Sequence, residues 1–536
     1  MSTDNTSFDL TERPWMPVIL KDGTKTELSL KKAFAFSRDI VGFDDRIGVT
    51  PFALTRLMEA VLYGVYGHSF DVVEWDHLLQ NGPDLLRIND YLDARRRRFD
   101  LFDPVTPFYQ CAGLQGNGEQ QTFELTRLTV TNEARPVRHT DGTLGFAEAA
   151  RWLVVAQAYN ISGIKTGVKG GGGTKPIGVG WAGGIGGLVV EGPNLWSTLI
   201  LNFIPELVLD QNDAGATWAD DRPVWDREQP GSAPTAGYTM TKNDEGDPTS
   251  LRGPATLYTW QSRRILLHHD GQTVTGCVVA NGDRTRADNA MAYEPMTAWV
   301  RNDKREKALK LPMVFIPARH AKERALWRGL SAIITAKRDQ GRGPYTLRWL
   351  AKTGFIGAVR LHAYGMAYGT RDSIYDTCIS DSVDAPIANL TATDPLWADM
   401  ATDAIAKADE GVSAVANLVS DICHAAGVEA EKPDRKGPRY KARADAYAEL
   451  GPAFLAWFGQ THADPESAYQ SWLATAKQVI ARVADRIEAD APLHAVIGRE
   501  VEEGKGAKKK TVYMTAALAG MRCRGNLDKI FGKDTE

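Results

Sequence analysis

The chain has 536 residues, 43% of them hydrophobic and 24% charged, with a formal net charge of −4 at neutral pH. That length predicts two to four domains, the composition is that of an ordinary globular protein, and no run of ~18 apolar residues is present to predict a membrane span. Five dispersed cysteines without a C-x-x-C, ten histidines without an H-E-x-x-H and an acidic, polar N-terminus exclude a disulfide framework, a cysteine zinc site and a secretory signal, and so predict a reducing cytoplasm.

In chain order, "WMPVIL" and "TELSL" flank "KDGTK" over residues 15–30 and predict a hairpin turning at Asp22-Gly23. Pro51 suits a first helical turn, and "PFALTRLMEAVLYGVYG" places Leu54, Leu57, Met58, Val61 and Leu62 on one helical face. The tract "ARRRRFDLFDPVTPFYQ" (94–110) carries four consecutive arginines, which read either as a phosphate contact or as an exposed helix end. "ARWLVVAQAYN" (150–160) reads as an apolar helix or buried strand. It feeds "ISGIKTGVKGGGGTKPIGVGWAGGIGG" (161–187), where glycine crowds around Lys165, Lys169 and Lys175. Regular structure resumes at "LWSTLILNFIPELVL" (195–209), and residues 215–254 predict a long loop. Residues 256–283 predict a second hairpin turning at Asp270-Gly271; His268 and His269 beside it read as turn residues, since no third metal ligand can be placed. Residues 301–360 hold fifteen Lys/Arg against four Asp/Glu. So basic a tract in an acidic chain fits either a phosphate-facing patch or a solvated helical face.

From Trp397 the pattern turns helical. Met400, Ala404, Ala408, Val412, Val415, Val419 and Ile422 form one stripe. A second holds Tyr447, Leu450, Phe454, Leu455 and Phe458, with Pro452 expected to kink or restart the helix. A third holds Tyr469, Trp472, Leu473, Ala476, Val479, Ile480, Val483 and Ile487, and a fourth helix from about Val512 to Phe531 holds Met514, Leu518 and Met521. Four such stripes can be buried together as a bundle. The expected architecture is therefore a mixed α/β globular domain over residues 1–385 and an all-α four-helix bundle over residues 386–536.

The glycine tract admits several readings. Gly178, Gly180 and Gly183 match G-x-G-x-x-G, and a nucleotide-dependent enzyme is the alternative this raises. The glycine pairs and Gly192-Pro193 downstream leave little room for the helix such a site requires. "GGGGTKP" is not a P-loop, because Thr174 and Lys175 stand in the wrong order and Pro176 comes next. Two readings remain: a disordered loop with incidental lysines, or bare backbone laid against phosphates or a narrow groove with lysines adding attraction. Neither a G-x-S-x-G nor a Cys/His pair in a recognisable context is present, so no catalytic constellation assembles.

The order and spacing of "FDLTERPWMPV", "DPVTPFYQ", "AQAYNISGIKTGVKGGGG" leading to "LWSTLILNF", and the terminal four-helix pattern resemble the large subunit (CasA type) of the type I-E CRISPR surveillance complex, Cascade. The resemblance covers essentially the whole chain. It implies a cytoplasmic, antiviral, non-catalytic subunit without a cofactor, which recognises the protospacer-adjacent motif in double-stranded DNA and helps start unwinding toward an R-loop. It implies as partners the target DNA, the guide RNA 5′ handle, the Cascade backbone and small subunits, and a recruited helicase-nuclease. By the same resemblance a DNA-binding glycine loop falls on Gly163, Ile164, Lys165 and Thr166, with Gly167 and Lys169 adjoining. A strand-parting wedge falls on Gly369, Thr370 and Arg371, where the family often carries glutamine. A basic finger falls on Arg284 or Arg286, and a loop contacting the guide handle and backbone subunit on Val137, Arg138 and His139. In the C-terminal part, Lys505, Lys508, Lys509 and Lys510 are read as a phosphate contact or a solvated linker.

Overall fold

The structure, a computed structural model, describes residues 6–44, 47–117, 124–130, 142–209, 213, 216–238, 251–334, 339–391, 393–428, 437–503 and 509–533. Packing divides the chain into two compact units, Met1–Ile333 with Lys337–Ser382, and Ile334–Ala336 with Val383–Glu536. The first is mixed α/β with several small sheets; the second is mostly helical.

In the first unit the strand Met16–Leu20 lies between Lys25–Leu28 and Ile40–Phe43, antiparallel to both. Met16 and Val18 point inward and are fully buried, as a period of two requires. The turn between the first two strands has Gly23 at φ 84° and the Asp22 side chain accepting from the Thr24 N–H. The helix Thr50–Tyr66 departs from the one-faced expectation, since it is buried nearly all round. Its polar positions are reconciled in two ways. Arg56 makes a two-pronged pair with buried Glu294, both contacts at 2.8 Å. Glu59 has no hydrogen-bond partner among the described residues, and burial lifts its pKa well above the carboxylate range.

The four arginines of the 94–110 tract are committed internally. Arg95 pairs with Asp226, Arg96 with Asp9 and Arg97 with Asp103, while Arg98 donates to the carbonyls of Val224 and Arg227. Residues 150–160 resolve as helix, within Phe146–Tyr159. The second expected hairpin forms with strands Arg263–His269 and Val274–Asn281, Arg263 opposite Asn281. At its turn the Gly271 N–H donates to His269 Nδ1. A further sheet orders Tyr375–Pro386, Ala358–Tyr368 and Gly187–Glu191 side by side. Across it His362 bridges Ser380 and Glu191, each at 2.8 Å.

The second unit holds four long helices, Pro395–Ala426, Pro438–Phe458, Pro465–Ala489 and Ala516–Phe531, the first packing against the other three. Asp394 and Asp464 cap two N-termini ahead of a proline, and Gly427 closes the first helix at φ 76°. Three expectations are corrected by this unit. The fourth helix begins at Ala516, because residues 510–514 alternate as a strand and pair with Arg499–Glu503, leaving Thr515 as the cap. Met521 is 63% exposed; Ala519, Gly520, Cys523, Leu527 and Phe531 face inward instead. Pro452 does not restart its helix, which runs from Pro438 to Phe458 with Leu450, Gly451, Phe454 and Phe458 buried around it. Lys509 and Lys510 pair with Glu502 and Glu503 across the short hairpin, and Lys505 and Lys508 lie outside the described residues. Among the described residues no helix is long and apolar enough to cross a membrane.

Candidate nucleic-acid interface

The glycine tract is a fixed loop, and one buried arginine fixes it. The helix Phe146–Tyr159 ends at Asn160, and the chain returns near Gly178. Arg263 stands between these two feet, 1% exposed. Its guanidinium donates to Asn160 Oδ1 at 3.0 Å and to the carbonyls of Asn160, Ile161, Gly178 and Ser262 at 2.7–3.1 Å. Burial lowers its pKa to about 10, which still leaves it charged near neutrality. Across the ladder, Asn281 donates to the carbonyls of Gly173 and Lys175 at 2.9 and 2.8 Å. The Thr166 N–H reaches the Val279 carbonyl, and Gly167 and Lys169 pair through backbone with Asn117 and Gln115. The last residue pair of a hairpin ladder thus organises a loop remote in sequence. The doublet Arg263-Arg264 directly before the apolar run Ile265-Leu266-Leu267 was the available sequence signal for this.

Within the loop the expected contact residues divide. Ile164 stands outward, 76% exposed, with Gly163 half-buried beside it. Lys169 is exposed and donates to Gln115 Oε1 at 3.0 Å. Thr166 accepts from Arg127 at 3.0 Å. Lys165 is a correction: its amine turns inward, 8% exposed, and donates to the carbonyls of Ile161 and Gly163 at 2.9 and 3.2 Å. Burial, with help from Arg263 and Arg127, lowers its pKa to about 7. It is an internal tie of the loop and not a phosphate-facing cation.

Gly369, Thr370 and Arg371 form the turn between Ala358–Tyr368 and Tyr375–Pro386. The Gly369 N–H donates to the Ile374 carbonyl at 2.8 Å, closing the turn. Arg371 and Asp372 both stand at φ 55°, a costly left-handed conformation for side-chain-bearing residues. Arg371 is exposed and has no ion-pair or hydrogen-bond partner among the described residues. This turn is joined to the glycine loop. The Ser162 N–H donates to the Asp372 carbonyl at 2.8 Å, and the Ile161 N–H to the Tyr375 hydroxyl at 3.2 Å.

Behind both lies a cavity of about 820 Å³. Ile177, Gly178 and Asp372 border it, as do Arg284 and Arg286. Gly178, at φ 103°, lets the Arg284 guanidinium lie where a Cβ would stand. Around the cavity Arg263, Arg284, Arg286, Arg305, Arg319 and Arg324 face Asp283, Asp288 and Asp372. Arg305, Arg319 and Arg324 come from the basic 301–360 tract. Other cations of that tract are neutralised, Arg301 by Glu306 and Lys322 by Asp376.

The G-x-G-x-x-G match has a different use. Gly180 lies against the Ala158 carbonyl and Gly183 under the Tyr368 hydroxyl, where no Cβ would fit. The match leads into one short turn, Ala182–Gly184, and the strand Gly187–Glu191, not into a helix whose N-terminus could hold a pyrophosphate. Val137, Arg138 and His139 lie outside the described residues.

Known proteins share both the sequence pattern and the fold. The family model described as CRISPR-associated protein Cse1 matches residues 9–483. The chain is 28% identical over 381 residues to the CRISPR-associated protein CasA/Cse1 of Thermus thermophilus, 67% of each protein being covered. Its fold superposes on the crystal structure of Thermobifida fusca Cse1 with a TM-score of 0.85, at 32% identity and 99% coverage of both chains. It also matches a chain of a CRISPR RNA-guided surveillance complex with a TM-score of 0.66, at 18% identity, over 97% of this chain and 99% of that one.

Proposed function

Because this chain belongs to the Cse1 family, the CasA-type large subunits of type I-E Cascade, we propose that it inspects double-stranded DNA for the protospacer-adjacent motif and starts its unwinding. One observation carries this reading: Gly163 is bare for no internal reason. A Cβ there would meet only Ile161 Cδ1 at 3.6 Å and the Ser373 carbonyl at 4.0 Å, ordinary contacts, and its φ is unremarkable. The side-chain-free backbone of a fixed, outward loop is then free to approach a narrow groove, where shape carries most of the information. Ile164 leads that approach, and Lys169 adds sequence-independent attraction to phosphate.

In this reading Arg371, on a turn hydrogen-bonded to the loop, is the wedge, and can stack on a base while meeting phosphate. Arg284 and Arg286 form the basic finger, and Val137, Arg138 and His139 meet the guide handle and the backbone subunit. Residues 1–385 do the recognising. Residues 386–536, as a four-helix bundle, dock the small subunits, and the subunit as a whole docks the helicase-nuclease. No catalysis is assigned to the chain, because guide pairing supplies sequence specificity.

Gly163→Ala tests the reading. Its stability in urea is expected to stay within about 0.5 kcal/mol of the parent, as for a surface change that strains nothing. Duplex affinity of the assembled complex is expected to fall about tenfold, a loss of about 1.4 kcal/mol, with the complex still assembling. Unchanged affinity would remove the glycine loop from the interface.

A further inference from the structure

We propose that the arginine-lined cavity receives one unpaired nucleotide from a DNA strand parted at the adjoining turn. This rests on the reading of that turn and loop as a DNA interface. The lining is lopsided in charge. Six guanidiniums border it against three carboxylates. Asp288 neutralises one of the six, Arg305, at 2.8 and 2.6 Å, and Asp283 pairs with Arg264, outside the lining, at 2.6 Å, so five guanidiniums of the lining remain against Asp372. Net positive charge inside a concave wall concentrates anions.

The other half of the lining is apolar and includes Ile185, Leu188, Ala298 and Ile316. The matching ligand has a phosphate at one end and a flat, weakly polar body at the other, which describes a nucleoside phosphate. At about 820 Å³ the space falls within the roughly 300–1,000 Å³ of sites that take drug-sized ligands, the size class of one nucleotide. Position selects a strand over a free nucleotide as the source. Asp372 of the turn and Gly178 at the foot of the glycine loop are both part of the wall. A nucleotide leaving the helix at Arg371 therefore has the cavity beside it. Unstacking costs a few kcal/mol, and holding the displaced base and phosphate offsets it.

The test needs neither guide nor motif. Full-length chain is titrated with a fluorescent 12-nucleotide single-stranded DNA and, separately, with thymidine monophosphate. Two variants act on the two halves of the site: Arg286→Gln on the charge, and Ala332→Trp on the space without touching charge. The expected result is that each variant, its folding verified by thermal melting, weakens the oligonucleotide about tenfold, with the monophosphate binding far more weakly than the strand. If both folded variants bind the oligonucleotide like the parent, the cavity is not its site. If the monophosphate binds more tightly than the strand and the variants abolish only that, the cavity serves a free nucleotide and the proposal is overturned. Single-stranded titration does not measure duplex motif recognition, so failure of the cavity leaves the Gly163 result standing, and the reverse.

Discussion

Lys165 and Arg371 show how far residue type alone can mislead. Both were legible as cations near a proposed DNA contact. One is folded into its own loop by the carbonyls of Ile161 and Gly163, and the other stands in water on a strained turn. Spacing along a glycine-rich segment carries no period, so it gives no direction to a side chain. The buried amine has a measurable consequence. Its pKa falls from 10.5 to about 7 on folding. Below about pH 7 both folded and unfolded chains hold the proton, and the cost of burying the ammonium is borne in full. Above it the unfolded chain holds a proton that the folded one has shed, so stability rises with pH up to about 10.5. The unfolding free energy of the parent should therefore gain on that of Lys165→Met between pH 7 and 9, by up to about 1.4 kcal/mol per pH unit. A difference flat in pH would mean that the amine is solvated.

Elements were legible where a period ran long. The stripes of the first three C-terminal helices arise from 3.6-residue spacing, the hairpin at Asp270-Gly271 was marked by its turn residues, and the helix through residues 51–66 was found although its burial runs nearly all round. Boundaries failed where short-range chemistry competed. "KTVYM" belongs to a strand because Arg499–Glu503 is there to pair with it, a partner no helical stripe can foresee. The four arginines at 95–98 read as a phosphate contact or an exposed helix end because their carboxylate and carbonyl partners lie elsewhere in the chain. The hairpin Arg263–His269 with Val274–Asn281 matters most, because its end pair carries the glycine tract. Replacing Arg263 by methionine would leave the Gly178 carbonyl without its donor, at about 1–3 kcal/mol if it stays buried, and would leave the carbonyls of Ile161 and Asn160 with only the Lys165 amine and the Gly180 N–H. The expected outcome is faster amide hydrogen exchange across residues 161–178, with exchange in Pro395–Ala426 unchanged. Parent-like protection of the loop would show that the hydrogen bonds of Asn281 and Val279 suffice.

At the scale of the molecule, the order of motifs along the chain was enough to indicate the family, while the candidate site was only partly legible. The glycine loop, the 369–371 turn and Arg284 with Arg286 were each expected separately. That Gly178 at the loop's foot, Asp372 beside the turn, and Arg284 with Arg286 border one cavity was not expected, because its walls come from segments between residues 177 and 372 that no local pattern connects. Family membership gives the chain its complex; the proposed DNA surface rests on the unneeded bareness of Gly163 beside an exposed Ile164.

The most direct measurement places a photoreactive benzoylphenylalanine at Ile164 in the assembled complex and irradiates it with bound target duplex. If the glycine loop reads the duplex, DNA adducts are confined to the few base pairs of the protospacer-adjacent motif. Adducts spread evenly along the duplex, or crosslinks to protein alone, would contradict it.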